Sequence, residues 1–144
     1  MTHRTETIMT AVKTAVDGLT TTEARVERSR IRGVEVAPAL SIEQGGNDVN
    51  LERSTFPRKS RDLNIKIIAH VKTNTDPETQ LNLISEEVYI ALRSDPTLGL
   101  SYVTDIESIG DDEPEFTGEA EKETGRMQMN FIVKYWHSWD DPGA

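Results

Sequence analysis

Three histidines, one acidic cluster, a glycine pair and two tryptophans are the residues of this chain whose types could do chemistry. His3, His70 and His137 could serve as bases or metal ligands, but no two stand at a local ligand spacing. They fall at a chain end, on the polar face of a strand and in the tail. Asp111-Asp112-Glu113-Pro114-Glu115 offers hard oxygen ligands, yet lacks the spaced donors and closing Glu of a calcium loop. It reads as a solvated acidic hairpin. No helix start follows Gly45-Gly46, so the pair reads as a turn and not as a phosphate cradle. The serines lack partnering His and Asp residues, and there is no cysteine to act as nucleophile, thiolate ligand or disulfide. No catalytic, metal or cofactor site is expected, and the chain is not read as an enzyme.

The chemistry that remains is that of contact. Trp136 and Trp139 stand where a strand exits into a polar tail. Either Trp136 packs across a sheet edge, or the pair forms an exposed anchor of the kind that dominates interface energies. Net charge is −9, which argues against a protein that works by neutralising phosphates. The charge is uneven, however. Residues 25–32 carry a net of +3, including Arg28 and Arg30, and residues 52–61 again +3, including Arg53, Arg58 and Lys59. Residues 111–126 carry −5, with Glu119, Glu121 and Glu123 among seven acids. Such runs are either solvated faces or opposed patches through which copies of one chain meet head to tail.

The elements that must carry these residues follow from periodicity. From Arg61 to Lys72 the chain alternates, with Leu63, Ile65, Ile67, Ala69 and Val71 on one face and Asn64, Lys66, His70 and Lys72 on the other. That is a strand wet on one side. Asp76-Pro77-Glu78 then opens a helix with a cap, a first-turn proline and an acid at the positive dipole end. Its stripe is Leu81, Ile84, Val88, Ala91 and Leu92, and Ser94-Asp95-Pro96 stops it. A shorter amphipathic helix spans residues 5–19, through Ile8, Val12, Ala15 or Val16, and Leu19, ended by Asp17-Gly18. Residues 25–31 suggest an edge strand or ordered loop, and residues 34–44 a strand. Residues 45–60 are too polar for a core strand and read as a long loop, mobile until a partner orders it, with Phe56-Pro57 as anchor.

Residues 100–109 suggest a further strand, with Tyr102, Thr104 and Ile106 on one face and Val103 and Ile109 on the other. Gly110 interrupts it as a bulge, and Glu115-Phe116-Thr117 resumes pairing. An acidic hairpin spans about 110–125. Met127, Met129, Phe131, Val133 and Tyr135 alternate in a clear last strand, and residues 137–144 form a loose tail. At 144 residues this is one domain, large enough to form a core without staples. It lacks an apolar run long enough for a membrane span, and its polar N-terminus is unlike a signal peptide, so it is expected to be made in the cytoplasm. The order predicts an α+β fold: a largely antiparallel β-sheet with two helices packed on one face, a two-layer sandwich.

The joint spacing of several segments resembles the tail terminator proteins of long-tailed bacteriophages, the minor tail protein U-like family. They are Pro38-Ala39-Leu40-Ser41-Ile42 with Gly45-Gly46, the alternating strand from Arg61, and Asp76-Pro77-Glu78 with its stripe. Asp95-Pro96-Thr97-Leu98-Gly99-Leu100, Gly118-Glu119 with Glu121, and Phe131, Val133 and Tyr135 complete the pattern. No segment is diagnostic alone, and the match before Pro38 is weak. The resemblance implies a homohexameric ring at the head-proximal end of the virion tail. Such a ring caps the tail tube, ends its polymerisation and joins it to the head-tail connector or stopper protein. DNA would pass through the lumen without specific binding, and no membrane is involved. Alternatives are another neck or tail-completion connector, and a cellular α+β adaptor or ligand-binding module. Candidate contacts to a sister subunit or the tube are Arg28, Arg30, Arg53, Phe56, Arg58, Lys59, Glu119, Glu121, Glu123, Trp136 and Trp139. The acidic hairpin either lines the DNA passage or, as we favour, bridges to a basic stretch of the next subunit.

Overall fold

A computed structural model describes residues 3–19, 22, 26–28, 38–73, 76–117 and 123–143, without the side chains of residues 27, 28, 73, 117, 123 and 124. The chain runs α1 (Arg4–Val16), β1 (Val26–Arg28), β2 (Ala39–Thr55), β3 (Arg58–Thr73), α2 (Pro77–Ser94), β4 (Val103–Asp111), β5 (Glu115–Thr117) and β6 (Glu123–Ser138). The sheet order is β1-β2-β3-β6-β4, with β5 also pairing β6. Only β1 pairs in parallel, with β2; the other pairings are antiparallel. Among the described residues no helix is long and apolar enough to cross a membrane.

β3 is the centre, because its partners β2 and β6 flank it on both sides. Its register with β6 is unbroken from Arg58↔Ser138 to Thr73↔Glu123. Leu63, Ile65, Ile67, Ala69 and Val71 all point into the core with Met127, Met129, Phe131, Val133 and Tyr135 of β6. Both helices pack on this face: α1 contributes Ile8, Met9, Val12 and Val16, and α2 contributes Leu81, Ile84, Val88 and Leu92. Ile67 pairs with Ile42 and Met129 and is fully buried, so truncation to Ala would cost about 2–5 kcal/mol. At Gly125, opposite Val71, a Cβ would lie 2.8 Å from Val71 Cγ2. Leu81 of α2 and Phe116 of β5 would each lie 3.3 Å from the same Cβ, so the position is tight on three sides and suits glycine.

Helix ends follow their caps. Asp76, in the left-handed region at φ 42°, accepts from Thr79 N at 3.4 Å, and Pro77 fills the first turn. His3 caps α1 through its Nδ1, which accepts from Thr5 N at 3.0 Å, so it is ordered and not a frayed end. Gly18, at φ 81°, ends that helix as expected.

Four expectations change. The stretch 45–60 is not a loop: β2 runs through it to a tight turn at Phe56-Pro57, and β3 starts at Arg58. It is polar because this arm reaches past the helical layer, where a strand needs no continuous apolar face. The strand expected over residues 34–44 is seen from Ala39 onward; residues 34–37 lie outside the described residues, as does the Gly118-Glu119 turn. In β4 a register shift between Val103 and Asp105 puts Val103 and Ile106 in the core together, while Thr104 is exposed, so Tyr102, Thr104 and Ile106 do not share a face. A second shift, at Gly110 (φ 116°), is the expected bulge, but β4 continues through it to Asp111. The tail is tied down through residue 143: Ser138 bridges Asp141, Trp139 N donates to Pro57 O, and Arg4 N donates to Pro142 O.

Candidate assembly interface

The β2–β3 arm is built by irregularities at two places. Gln44 pairs Ile65 and Asn47 pairs Leu63, so Gly45 and Gly46 together oppose Asn64. This is a β-bulge, and it needs glycine for proximity: a Cβ at Gly45 would sit 3.1 Å from Asn64 Cβ and 3.2 Å from its carbonyl oxygen. The extra residue turns Asn47 toward the helical layer. There its Nδ2 reaches Thr5 Oγ1 at 3.1 Å and the Tyr135 hydroxyl at 3.0 Å, while Thr5 Oγ1 and Tyr135 OH lie 2.9 Å apart. Nearer the tip, residues 51–54 bulge again. Side chains stitch this bulge: Ser60 N donates to Ser54 Oγ at 3.0 Å, and Ser60 Oγ donates to Arg53 O at 3.0 Å. Polar bonds, not apolar burial, therefore order the arm.

The tip is where aromatic and cationic side chains collect. Register brings Arg58 beside Ser138, Lys59 beside His137 and Ser60 beside Trp136. Phe56, 74% exposed, packs on Trp139, 39% exposed, with centroids 5.9 Å apart and planes at 59°. The Lys59 ammonium stands 4.5 Å over the Trp139 ring. Arg58 stands 4.1 Å over the half-buried Trp136 ring, and Arg4 of α1 lies 4.8 Å from the same ring and 4.1 Å from that of Tyr102. Arg4 is fixed further by donating to Trp136 O at 2.7 Å. Each such cation–ring contact is worth about 0.5–1 kcal/mol at exposed sites.

Behind this surface His137 is 2% exposed and carries a defined tautomer. The Arg61 guanidinium can only donate, so Nε2 accepts from Arg61 Nε at 2.7 Å; the Ser138 carbonyl can only accept, so Nδ1 donates to it at 2.6 Å. The ring is thus neutral. Burial pushes its pKa below the ordinary 6.5, and the charges of Arg61, His3 and Lys59 add to that, against the opposing pull of the Ser138 hydrogen bond. His70, on the other face, is 3.0 Å from Ser41 Oγ through its Nε2.

The acidic residues lie at the other end of the sheet. Asp111 pairs Met129 and Glu115 pairs Arg126, toward the start of β6. Asp111 accepts from Ser85 Oγ at 3.0 Å, and Asp112 accepts from Asn130 Nδ2 at 2.9 Å. Glu113 and Glu115 are exposed.

Of the residues singled out in the sequence, the structure gathers Phe56, Arg58, Lys59, Trp136 and Trp139 at one end. Arg53, on the same arm, forms an ion pair with Asp62 of its own chain. The basic stretch 52–61 is therefore partly partnered within the chain. Trp136 packs under two arginines, whereas Trp139 stays exposed, so the two tryptophans take different roles. Arg30, Glu119 and Glu121 lie outside the described residues, as do the side chains of Arg28 and Glu123. Residues missed by sequence reasoning are Arg4, Tyr102, Thr5 and Asn47. Only Arg4 carried a signal, as a cation one turn before an apolar stripe.

No protein-family model matches the chain, and neither does any curated protein sequence. Among solved structures, a chain of the virion of a native gene transfer agent particle is similar to it, with a TM-score of 0.51 and 9% sequence identity over 88% of this chain and 84% of that one. At that identity the likeness is one of fold: the protein is an α+β sandwich whose architecture is also found in a virion chain.

Proposed function

We propose that this chain is a structural protein of a virion and, within it, a tail terminator: a homohexameric ring that caps the tail tube, ends its growth and meets the head-tail connector. The observation that carries the virion role is the shared fold over most of both chains with a gene transfer agent virion protein. The finer role rests on the resemblance of the ordered segments to tail terminators and on the two chemically opposed ends of the sheet. Its mechanism lies in contacts. An open tube end is a self-propagating surface, and a terminator must match that surface on one side only.

The role is structural rather than catalytic. His3 caps a helix, His137 is held neutral between Arg61 and Ser138, and His70 meets Ser41, so each histidine has a packing task. A neck or tail-completion connector is the second reading, because a fold shared with a virion protein does not by itself fix a position along the particle. Deleting the gene and imaging the particles separates them. Loss of a terminator leaves tubes of unregulated length without heads; loss of a connector leaves tubes of normal length without heads. Particles unchanged in both respects would refute the proposal.

A further inference from the structure

We infer that the aromatic–cationic tip of one copy seats the acidic β4–β5 turn, residues 111–115, of the next copy, resting on the ring proposed above. Three observations converge. Arg4, Arg58 and Lys59 have no carboxylate partner among the described residues; they are held instead over the rings of Tyr102, Trp136 and Trp139. Asp140 and Asp141, in the turn that follows Trp139, and Glu52 of the arm are acids of the same end, and none of them forms an ion pair with Arg4, Arg58 or Lys59. The acidic turn has the opposite character: Asp111, Asp112, Glu113 and Glu115 are exposed, with Arg126 lining the same hollow as Asp112, Glu113 and Glu115. Met129 and Ser138 mark the two ends on β6, roughly 30 Å apart at about 3.3 Å per residue, so one copy cannot join its own ends.

Complementary patches at opposite ends of one molecule make a heterologous contact, which closes into a ring when the rotation between copies allows. The tip is also prepared for binding. Stacking already restrains the arginine and lysine side chains, which lowers the ordering cost of meeting carboxylates. Phe56 and Trp139 supply an exposed apolar centre beside these charges, the arrangement of an anchor with a polar rim.

The chain has no cysteine, so introduced thiols report a single contact. The variant K59C/E113C, treated with a short bis-maleimide in isolated particles, should give a ladder of linked chains, while K59C or E113C alone should give only monomer. R58E/K59E should reduce incorporation into particles about tenfold, and D112K/E113K/E115K in the same chain should restore it. Dimers from K59C alone would mean tip meets tip and overturn the inference. A normal amount of K59C/E113C in particles without a ladder would also overturn it, leaving the ring itself intact. If the unaltered chain is not carried in particles, the ring proposal fails instead.

Discussion

The hydroxyl of Tyr135 joins three elements, and removing it tests whether the Gly45-Gly46 bulge does what its register implies. Tyr135 is 1% exposed; its oxygen lies 2.9 Å from Thr5 Oγ1 on α1 and 3.0 Å from Asn47 Nδ2 on β2. Tyr135→Phe keeps the ring and its packing and deletes the oxygen. One hydroxyl can donate once and accept here from Asn47, so two hydrogen bonds are lost, each worth about 0.5–1.5 kcal/mol. Of the polar atoms left behind, Asn47 Nδ2 still reaches Thr5 Oγ1 at 3.1 Å, and Asn47 Oδ1, which accepts from the hydroxyl at 3.2 Å, belongs to a half-buried residue where water can take the place of the lost donor. The expected loss is therefore about 1–3 kcal/mol. Urea unfolding should show a lower midpoint at unchanged slope. Asn47→Ala should cost a similar amount, and the double variant should cost less than the sum by about 0.5 kcal/mol or more, because the two side chains form one network. Were residues 45–48 a solvated turn, Asn47→Ala would be silent and the two changes additive. That result would refute the assignment of the bulge as the device that aims Asn47 inward.

Gly125→Ala should destabilise by about 1–3 kcal/mol in the same assay, and Val71→Ala should relieve part of that cost, since Val71 Cγ2 is the nearest atom to the new methyl. Because burial lowers the pKa of His137, the unfolded chain binds its proton more readily than the folded one. The stability this contributes is complete above about pH 6.5 and is lost as pH falls below it. Unfolding midpoints at pH 7.5 and 5.5 should therefore differ, and His137→Asn should narrow the gap. Phe56→Ser and Trp139→Ser should each lower the unfolding free energy by only about 1–2 kcal/mol, through loss of the ring pair and, for Trp139, of the Lys59 contact, while lowering incorporation into particles.

The core was legible in the sequence wherever a period was sustained. Leu63 to Val71 and Met127 to Tyr135 each alternate over their length, and Leu81, Ile84, Val88 and Leu92 mark one helix face. In all three the structure buries these apolar residues; Ile68, out of phase with them and opposite Ser41 and Gln128, is buried as well, on the other face of the sheet. Polar strand was not legible. Residues 45–55 carry loop-like composition because both faces of the arm meet solvent beyond Asn47, and composition reports burial before it reports backbone pairing. A bulge also hides itself: one extra residue in β4 broke the period-two pattern at Thr104 and reassigned Ile106. At the tip, Phe56, Arg58, Lys59 and the tryptophans were visible as types. Their meeting depends on register between strands eighty residues apart in the chain, which no local pattern encodes.

Both rims of the sheet are broken lines. β4 shifts register at Val103/Asp105 and again at Ser108/Gly110, and β2 does so at Gln44/Asn47 and Asn50/Thr55; among the described residues β1 pairs with Leu40 to Ile42 of β2. A foreign strand laid along either rim would lose its hydrogen-bond ladder within a few residues. Along the described rims the backbone therefore offers a poor template for strand addition, and side chains are left to choose a neighbour. For a protein proposed to end a polymer, resistance to becoming one is built into the same irregular edges.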